Sequence, residues 1–228
     1  MVGLISGLRA DRIAENLSRL REELAAAVER SPIARARQDG REVAVLAATK
    51  YVAADDLPVL SDAGVQLVGE NRAQDLQAKV AAHGELFVWD FIGALQSRRV
   101  RVIVPHVRLI HSVASDSALR ELERHRALAH PDLRILIEVN VAREAGKAGV
   151  APEELDPFIA RSPVPVAGLM TMPPLSSDPA NSRVWFAALR ELADARGLEH
   201  LSMGTSQDYI VAAEEGATIV RIGTNLYH

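Results

Sequence analysis

Apolar positions along the chain change their period once, early. Ile13, Leu17, Leu20, Leu24 and Val28 recur three or four residues apart with Arg and Glu between them, which predicts an amphipathic helix over 10–30 ending near Ser31-Pro32. Beyond it come short apolar runs rich in β-branched residues, each followed by a more polar stretch with helical spacing. The runs Val43 to Thr49, Val65 to Gly69, Phe87 to Gly93, Val107 to Val113, Leu133 to Asn140, Val164 to Thr171, Leu198 to Met203 and Ala217 to Ile222 predict eight strands. Asp116 to Leu128 and Asn181 to Ala195 are the clearest helices between them. Near-continuous apolar strands imply parallel pairing with both faces covered. The expected fold class is therefore α/β: a single (β/α)8 barrel of the TIM type, residues 1–228 as one domain, with the 10–30 helix as an N-terminal addition. The competing doubly wound sheet carries a glycine-rich turn after strand one, whereas here that turn reads Thr49-Lys50-Tyr51-Val52.

Length and composition narrow the function classes. A chain of 228 residues suits one barrel but not a barrel with a second full domain. With no cysteine there is no disulfide framework, thiol nucleophile or thiolate metal site, and the histidines lack ligand spacing. The net charge of −4 argues against a nucleic-acid partner. Apolar runs fall far short of the ~20 residues of a membrane span. Met1 to Ala10 is apolar but has no basic leader and is broken at Arg9, so no secretory signal is expected and the cytoplasm is the expected location.

Cation usage sharpens the picture, because Lys50, Lys79 and Lys147 are the only lysines among 26 basic residues. Arginine stays protonated, whereas a desolvated lysine can lose its proton and attack a carbonyl. Lys50 closes an apolar strand, where burial is expected to depress its pKa and suit it to Schiff-base chemistry; the structural alternative is a lysine whose stem packs on the strand while its head reaches water. Lys79, beside Gln77 and Asp75, reads as solvated helix surface, and Lys147 lies in a loop at the active face with no role assigned by position.

The last two strand ends carry a second signal. Barrels often bind phosphate in the loops after strands seven and eight, which here read Ser202-Met203-Gly204-Thr205-Ser206 and Arg221-Ile222-Gly223-Thr224. The structural alternative is helix capping by the same hydroxyls. Arg221 interrupts an apolar strand and needs a ligand atom or an acidic partner, such as Glu70. Arg98-Arg99-Val100-Arg101 reads as a solvated helix face, and no Walker, dinucleotide-binding, nucleophile-elbow or zinc-protease motif occurs.

A lysine, an anion cup and an arginine on one barrel face suggest pyridoxal 5′-phosphate (PLP). Ala47-Ala48-Thr49-Lys50, Gly69-Glu70-Asn71-Arg72-Ala73-Gln74-Asp75, Phe91-Ile92-Gly93-Ala94-Leu95-Gln96-Ser97, Gly168-Leu169-Met170-Thr171-Met172-Pro173, Leu201-Ser202-Met203-Gly204-Thr205-Ser206-Gln207-Asp208 and Val220-Arg221-Ile222-Gly223-Thr224 resemble, in order, the pyridoxal phosphate homeostasis family. The resemblance implies a barrel like the N-terminal domain of alanine racemase, with PLP held as a Schiff base on Lys50. It implies that Arg221 faces the pyridine nitrogen, that Ser202, Ser206, Gly223 and Thr224 surround the phosphate, and that Asn71 lies beside the ring. It also implies a cytoplasmic monomer that buffers PLP and delivers it to PLP-dependent apoenzymes without strong catalysis of its own, with Lys147 matching a family lysine of the following loop. The chain departs from the family pattern at Asp75, Asp90, Ala94 and Thr205; the first three are expected at the pocket mouth or a partner surface, and Thr205 as an added phosphate donor. Two rivals stand beside this reading. One is a PLP-dependent amino-acid racemase, whose second domain and catalytic tyrosine are not expected in a chain that stops just past strand eight. The other is a class I aldolase-like barrel that uses a lysine imine without PLP.

Overall fold

Eight short strands pair side by side, all parallel, and close into a barrel in the order β1 to β8. They are β1 Ala44–Ala48, β2 Leu67–Glu70, β3 Val88–Phe91, β4 Leu109–Val113, β5 Arg134–Glu138, β6 Val166–Met170, β7 His200–Thr205 and β8 Ile219–Ile222. The helices are α1 Ala10–Arg30, α2 Pro32–Gln38, α3 Leu57–Asp62, α4 Ala73–His83, α5 Val100–Ile103, α6 Asp116–Arg124, α7 Leu155–Ala160, α8 Arg183–Asp194, α9 Tyr209–Glu214 and α10 Thr224–Tyr227. This computed structural model describes residues 4–228; Met1 to Gly3 of the expected domain and N-terminal stretch lie outside the described residues.

Two apolar clusters follow from the strand alternation. The larger lies between strands and helices; the smaller, built from Leu46, Leu109, Leu136, Ala167, Met170 and Ile219, fills the barrel interior. Gly93, just past β3, has no room for a side chain, since a Cβ there would collide with the carbonyl of Asn71. Gly93→Ala should push Asn71 out of place and lower the melting temperature by several degrees, measurable by thermal denaturation; an unchanged melting temperature would show that the loop yields freely.

The helix over 10–30 forms as expected, but it is part of the barrel wall. It buries Ile13, Leu17, Leu20, Leu24 and Ala27 and packs on α9, α10, α2 and α3. Asn16 ties it to the chain end, its Nδ2 donating to the carbonyls of Leu226 and His228 at 3.1 Å each. A helix the apolar pattern does not predict follows at once. Ser31 accepts from the Ala34 N–H and Pro32 opens α2, a Ser-Pro start that is legible by its capping chemistry.

Element ends differ where local geometry overrides composition. The run from Leu198 becomes a strand only at His200, because Gly197 takes φ 61° and the Leu198 N–H turns back to the Ala193 carbonyl; the strand then continues through Thr205. The expected helix ending at Leu128 stops at Arg124, and the one starting at Asn181 begins as a 3-10 turn and becomes α-helical at Arg183. Among the described residues no helix is long and apolar enough to cross a membrane.

Candidate functional site

The strand C-termini surround a cavity of about 500 Å³, a size typical of small-ligand pockets. Lys50, Asn71, Ser206, Arg221, Gly223 and Thr224 all line it. Ser202 does not. It lies within β7, fully buried, and its hydroxyl accepts from Arg221 Nη1 at 2.6 Å and contacts His111 Nδ1 at 2.8 Å. It differs from its expected place beside a phosphate in that it is a strand residue whose hydroxyl is taken up by Arg221 and His111, which leaves Ser206 as the serine in the loop.

Lys50 stands two residues beyond the end of β1, exposed at the cavity edge, with its ammonium 4.8 Å from the centre of the Tyr51 ring. It is exposed rather than enclosed by the apolar strand as expected. The backbone that carries it is held from behind. Lys79 Nζ donates to the Thr49 carbonyl at 2.8 Å and to Glu70 Oε2 at 2.5 Å, and Glu70 Oε1 accepts from the Asn71 N–H at 2.9 Å. Glu70 projects outward from β2 and is 0% exposed; Lys79 is 5% exposed. This corrects the reading of Lys79 as solvated surface and of Glu70 as a partner for Arg221. One buried ion pair sets the peptide before Lys50 and the amide of Asn71. Asn71 Oδ1 is buried without a partner among the described residues, so the cavity wall contains an acceptor that a ligand can satisfy.

On the neighbouring side of the barrel, where β8 pairs with β1, the loops after β7 and β8 meet, with Ser206 Oγ accepting from the Gly223 N–H at 3.3 Å and the Ser206 carbonyl accepting from Asn225 Nδ2 at 2.9 Å. Thr205 turns away from the expected donor role: its N–H and Oγ1–H both go to Asp208 Oδ1, at 2.8 and 3.1 Å.

Arg221 points inward from β8. Nη1 donates to the Ser202 carbonyl at 2.8 Å and to Ser202 Oγ, while Nη2 donates to the Thr171 carbonyl at 3.1 Å and contacts Met172 Sδ at 2.9 Å. All these partners are neutral. Burial pushes its pKa down to about 10, with Asp208 and Glu138 opposing, so it stays a cation at ordinary pH.

Glu138, at the end of β5, is a cavity residue that the apolar run Leu133 to Asn140 conceals, although a lone acid in such a run is itself a signal. Burial raises its pKa, against the pull of Arg221 and Lys147. Lys147 does not line the cavity; it pairs with Glu144, whose backbone is held by the Asn140 side chain. Tyr227 also lines the cavity, donating to the Ala48 carbonyl at 3.1 Å. Of the departures, Ala94 lines the cavity and Asp75 lies 4.0 Å from Arg72, but Asp90 is buried inside the barrel rather than at the mouth.

Three histidines give the protein a signed pH dependence. Burial lowers the pKa of His106, His111 and His200 in the folded state. Below pH ~6.5 the unfolded chain takes up protons that these imidazoles refuse, so stability should fall as pH drops from about 7.5 to 5.5. Glu138 works the other way but is one group against three. Urea denaturation at the two pH values checks this; equal stability would contradict it.

A profile of the family described as "Alanine racemase, N-terminal domain" matches residues 8–228. The pyridoxal phosphate homeostasis protein of Aquifex aeolicus is 40% identical over 225 residues, covering 93% of this chain and 96% of that one. Its namesake in Pseudomonas aeruginosa is 37% identical, covering 96% and 94%. Among solved structures, PipY of Synechococcus elongatus with PLP bound superposes with a TM-score of 0.76 at 31% identity, over 95% of this chain and 100% of that one. By barrel, sequence and extent of match alike, the chain belongs to the alanine racemase N-terminal domain family and, within it, to the pyridoxal phosphate homeostasis proteins.

Proposed function

We propose that this chain binds PLP as a Schiff base on Lys50 and serves intracellular PLP homeostasis, holding the cofactor and passing it to PLP-dependent apoenzymes rather than turning over a substrate. The observation that carries this reading is the convergence on one cavity of an amine, a buried cation and a hydroxyl-lined loop pair: Lys50, Arg221, and Ser206 with Gly223 and Thr224. The donor set fits the cofactor, and the unpartnered Asn71 Oδ1 supplies an acceptor in the same wall. Bound PLP contributes an aldehyde and an electron-withdrawing pyridine ring. The Lys50 amine, reached from solvent, is the group that would hold the aldehyde carbon as an imine. Ser206, Gly223 and Thr224 would hold the phosphate through hydroxyl and backbone N–H donors, the Gly223 N–H exchanging its long bond to Ser206 Oγ for the anion. Arg221, a cation with neutral partners, would face the pyridine nitrogen and disfavour its protonation, weakening the ring as an electron sink, which suits a carrier. We place the protein in the cytoplasm as a monomer.

Uptake of PLP by purified protein, followed as a visible absorption band, tests binding; α-proton exchange of amino acids in deuterated water tests catalysis. The proposal expects the band without exchange at enzymatic rates. Glu138 is the cavity acid suited to moving a substrate proton. Rapid exchange that disappears in Glu138→Gln would replace the carrier reading with a racemase-type one.

A further inference from the structure

The barrel interior holds a polar column that phosphate and aldehyde binding leave unexplained. Asp90 on β3, His111 on β4, Ser202 on β7 and Arg221 on β8 are all buried, in a lumen otherwise packed with Leu46, Leu109 and Leu136. The hydrogen bonds run in sequence. Arg221 Nη1 donates to Ser202 Oγ at 2.6 Å, Ser202 Oγ lies 2.8 Å from His111 Nδ1, and His111 Nε2 lies 3.1 Å from Asp90 Oδ2.

The two ends of this series fix its protons, because a guanidinium can only donate and a carboxylate can only accept. The proton facing Asp90 therefore sits on His111 Nε2, and in the neutral ring Ser202, which accepts from Arg221, turns its own proton to Nδ1. That nitrogen then carries the lone pair, and the neutral imidazole is of one tautomer. At the far end Arg108 Nη2 donates to Asp90 Oδ2 at 3.2 Å, and Arg108 Nε faces Asp90 Oδ1 at 3.1 Å out of hydrogen-bond alignment. The charge of Asp90 is thus offset on the side away from the cavity, while Arg221 is met by neutral acceptors only.

We propose that Asp90, His111 and Ser202 form a positioning relay that locks the Ser202 hydroxyl and so fixes how Arg221 presents its guanidinium to the cofactor ring. This rests on the PLP reading above. The relay joins four strands, so a change at Asp90 reaches the cavity without any direct contact with it. Asp90→Asn replaces an obligate acceptor with an amide that can donate to Nε2, which allows the other imidazole tautomer. His111 Nδ1–H and Arg221 Nη1–H would then both donate to Ser202 Oγ, whose own proton loses its acceptor, so the hydroxyl turns and the guanidinium it holds is no longer fixed in the same place.

The charged groups around the relay are Asp90, Arg108 and Arg221 for the imidazole, and Asp208 and Glu138 for the guanidinium. The test is ring ¹⁵N spectroscopy of histidine-labelled protein, first stripped of cofactor and then loaded with PLP, alongside the visible band of the bound cofactor and its pH profile. The relay requires the neutral Nε2–H tautomer for His111 in the stripped wild type, unchanged between about pH 6 and 8. It requires a tautomer change in Asp90→Asn, and in both Asp90→Asn and Ser202→Ala a displaced band with PLP held about tenfold more weakly. An Nδ1–H tautomer or an imidazolium in the wild type overturns the proposal whether or not either variant folds. So do folded variants whose band, pH profile and affinity match the wild type. A wild type that shows the Nε2–H tautomer but takes up no PLP would refute the PLP reading, and with it the role of the relay, while leaving the hydrogen-bond assignment standing.

Discussion

Lys79→Ala is expected to destabilise the protein by about 3–5 kcal/mol, the cost of stranding a buried charge. Glu70 is wholly enclosed, and without Lys79 it keeps only the Asn71 N–H and the Thr49 hydroxyl as donors. The Thr49 carbonyl loses the ammonium as well. Desolvation sets the size of the effect, because an exposed pair would contribute only ~0–1 kcal/mol. Replacing both members, Glu70→Gln with Lys79→Met, should recover much of the loss, since no buried charge is then left unpaired. The double variant should still hold PLP less well than the wild type, because the same pair anchors the peptide leading into Lys50 and the amide of Asn71. Urea denaturation of the single and double variants, with PLP affinity measured on the double variant, reads both effects. A single-variant cost below ~1 kcal/mol would show that Lys79 is effectively solvated.

Arg221→Leu is expected to weaken PLP retention by roughly ten- to hundredfold, the value of a charge-assisted contact in a buried site. It also leaves the Thr171 carbonyl and the Ser202 hydroxyl without their donor. Removing the cation should let the ring nitrogen of bound PLP take up a proton more readily, so the pH profile of the visible band should move upward. Arg221→Lys should behave as an intermediate case, since one ammonium cannot reproduce two forked nitrogens with separate acceptors. Equilibrium PLP titration and the pH dependence of the band measure these effects. Wild-type affinity and an unmoved profile in Arg221→Leu would remove Arg221 from the cofactor site.

Much of this site could be read before any coordinates. The eight apolar runs are legible because parallel strands covered on both faces must be apolar, and Arg221 stands out as a charge inside one of them. Lys50 is conspicuous through the scarcity of lysine, although its exposure is not, since a strand's composition does not reveal where the strand stops. Ser202 and Ser206 fall on either side of the end of β7: one lies inside the strand facing the lumen, the other in the loop beyond. Lys79 is misread because its burial depends on Glu70 projecting outward from β2 beneath α4, a pairing of a strand face with a helix face that neither segment carries in its own pattern. Asp90 is misplaced for a related reason. Alternation along β3 turns it into the lumen beside His111, a contact between strands that only the closed barrel creates.

The central claim is that Lys50 is the covalent holder of PLP, and one measurement meets it directly. PLP-loaded protein is reduced with borohydride, digested, and the pyridoxyl group located by mass spectrometry, in the wild type and in Lys50→Ala. The account predicts a single modified site at Lys50, with no reducible visible band in the variant. A pyridoxyl group found on Lys147 or Lys79 instead, or a reducible band that survives Lys50→Ala, would contradict it.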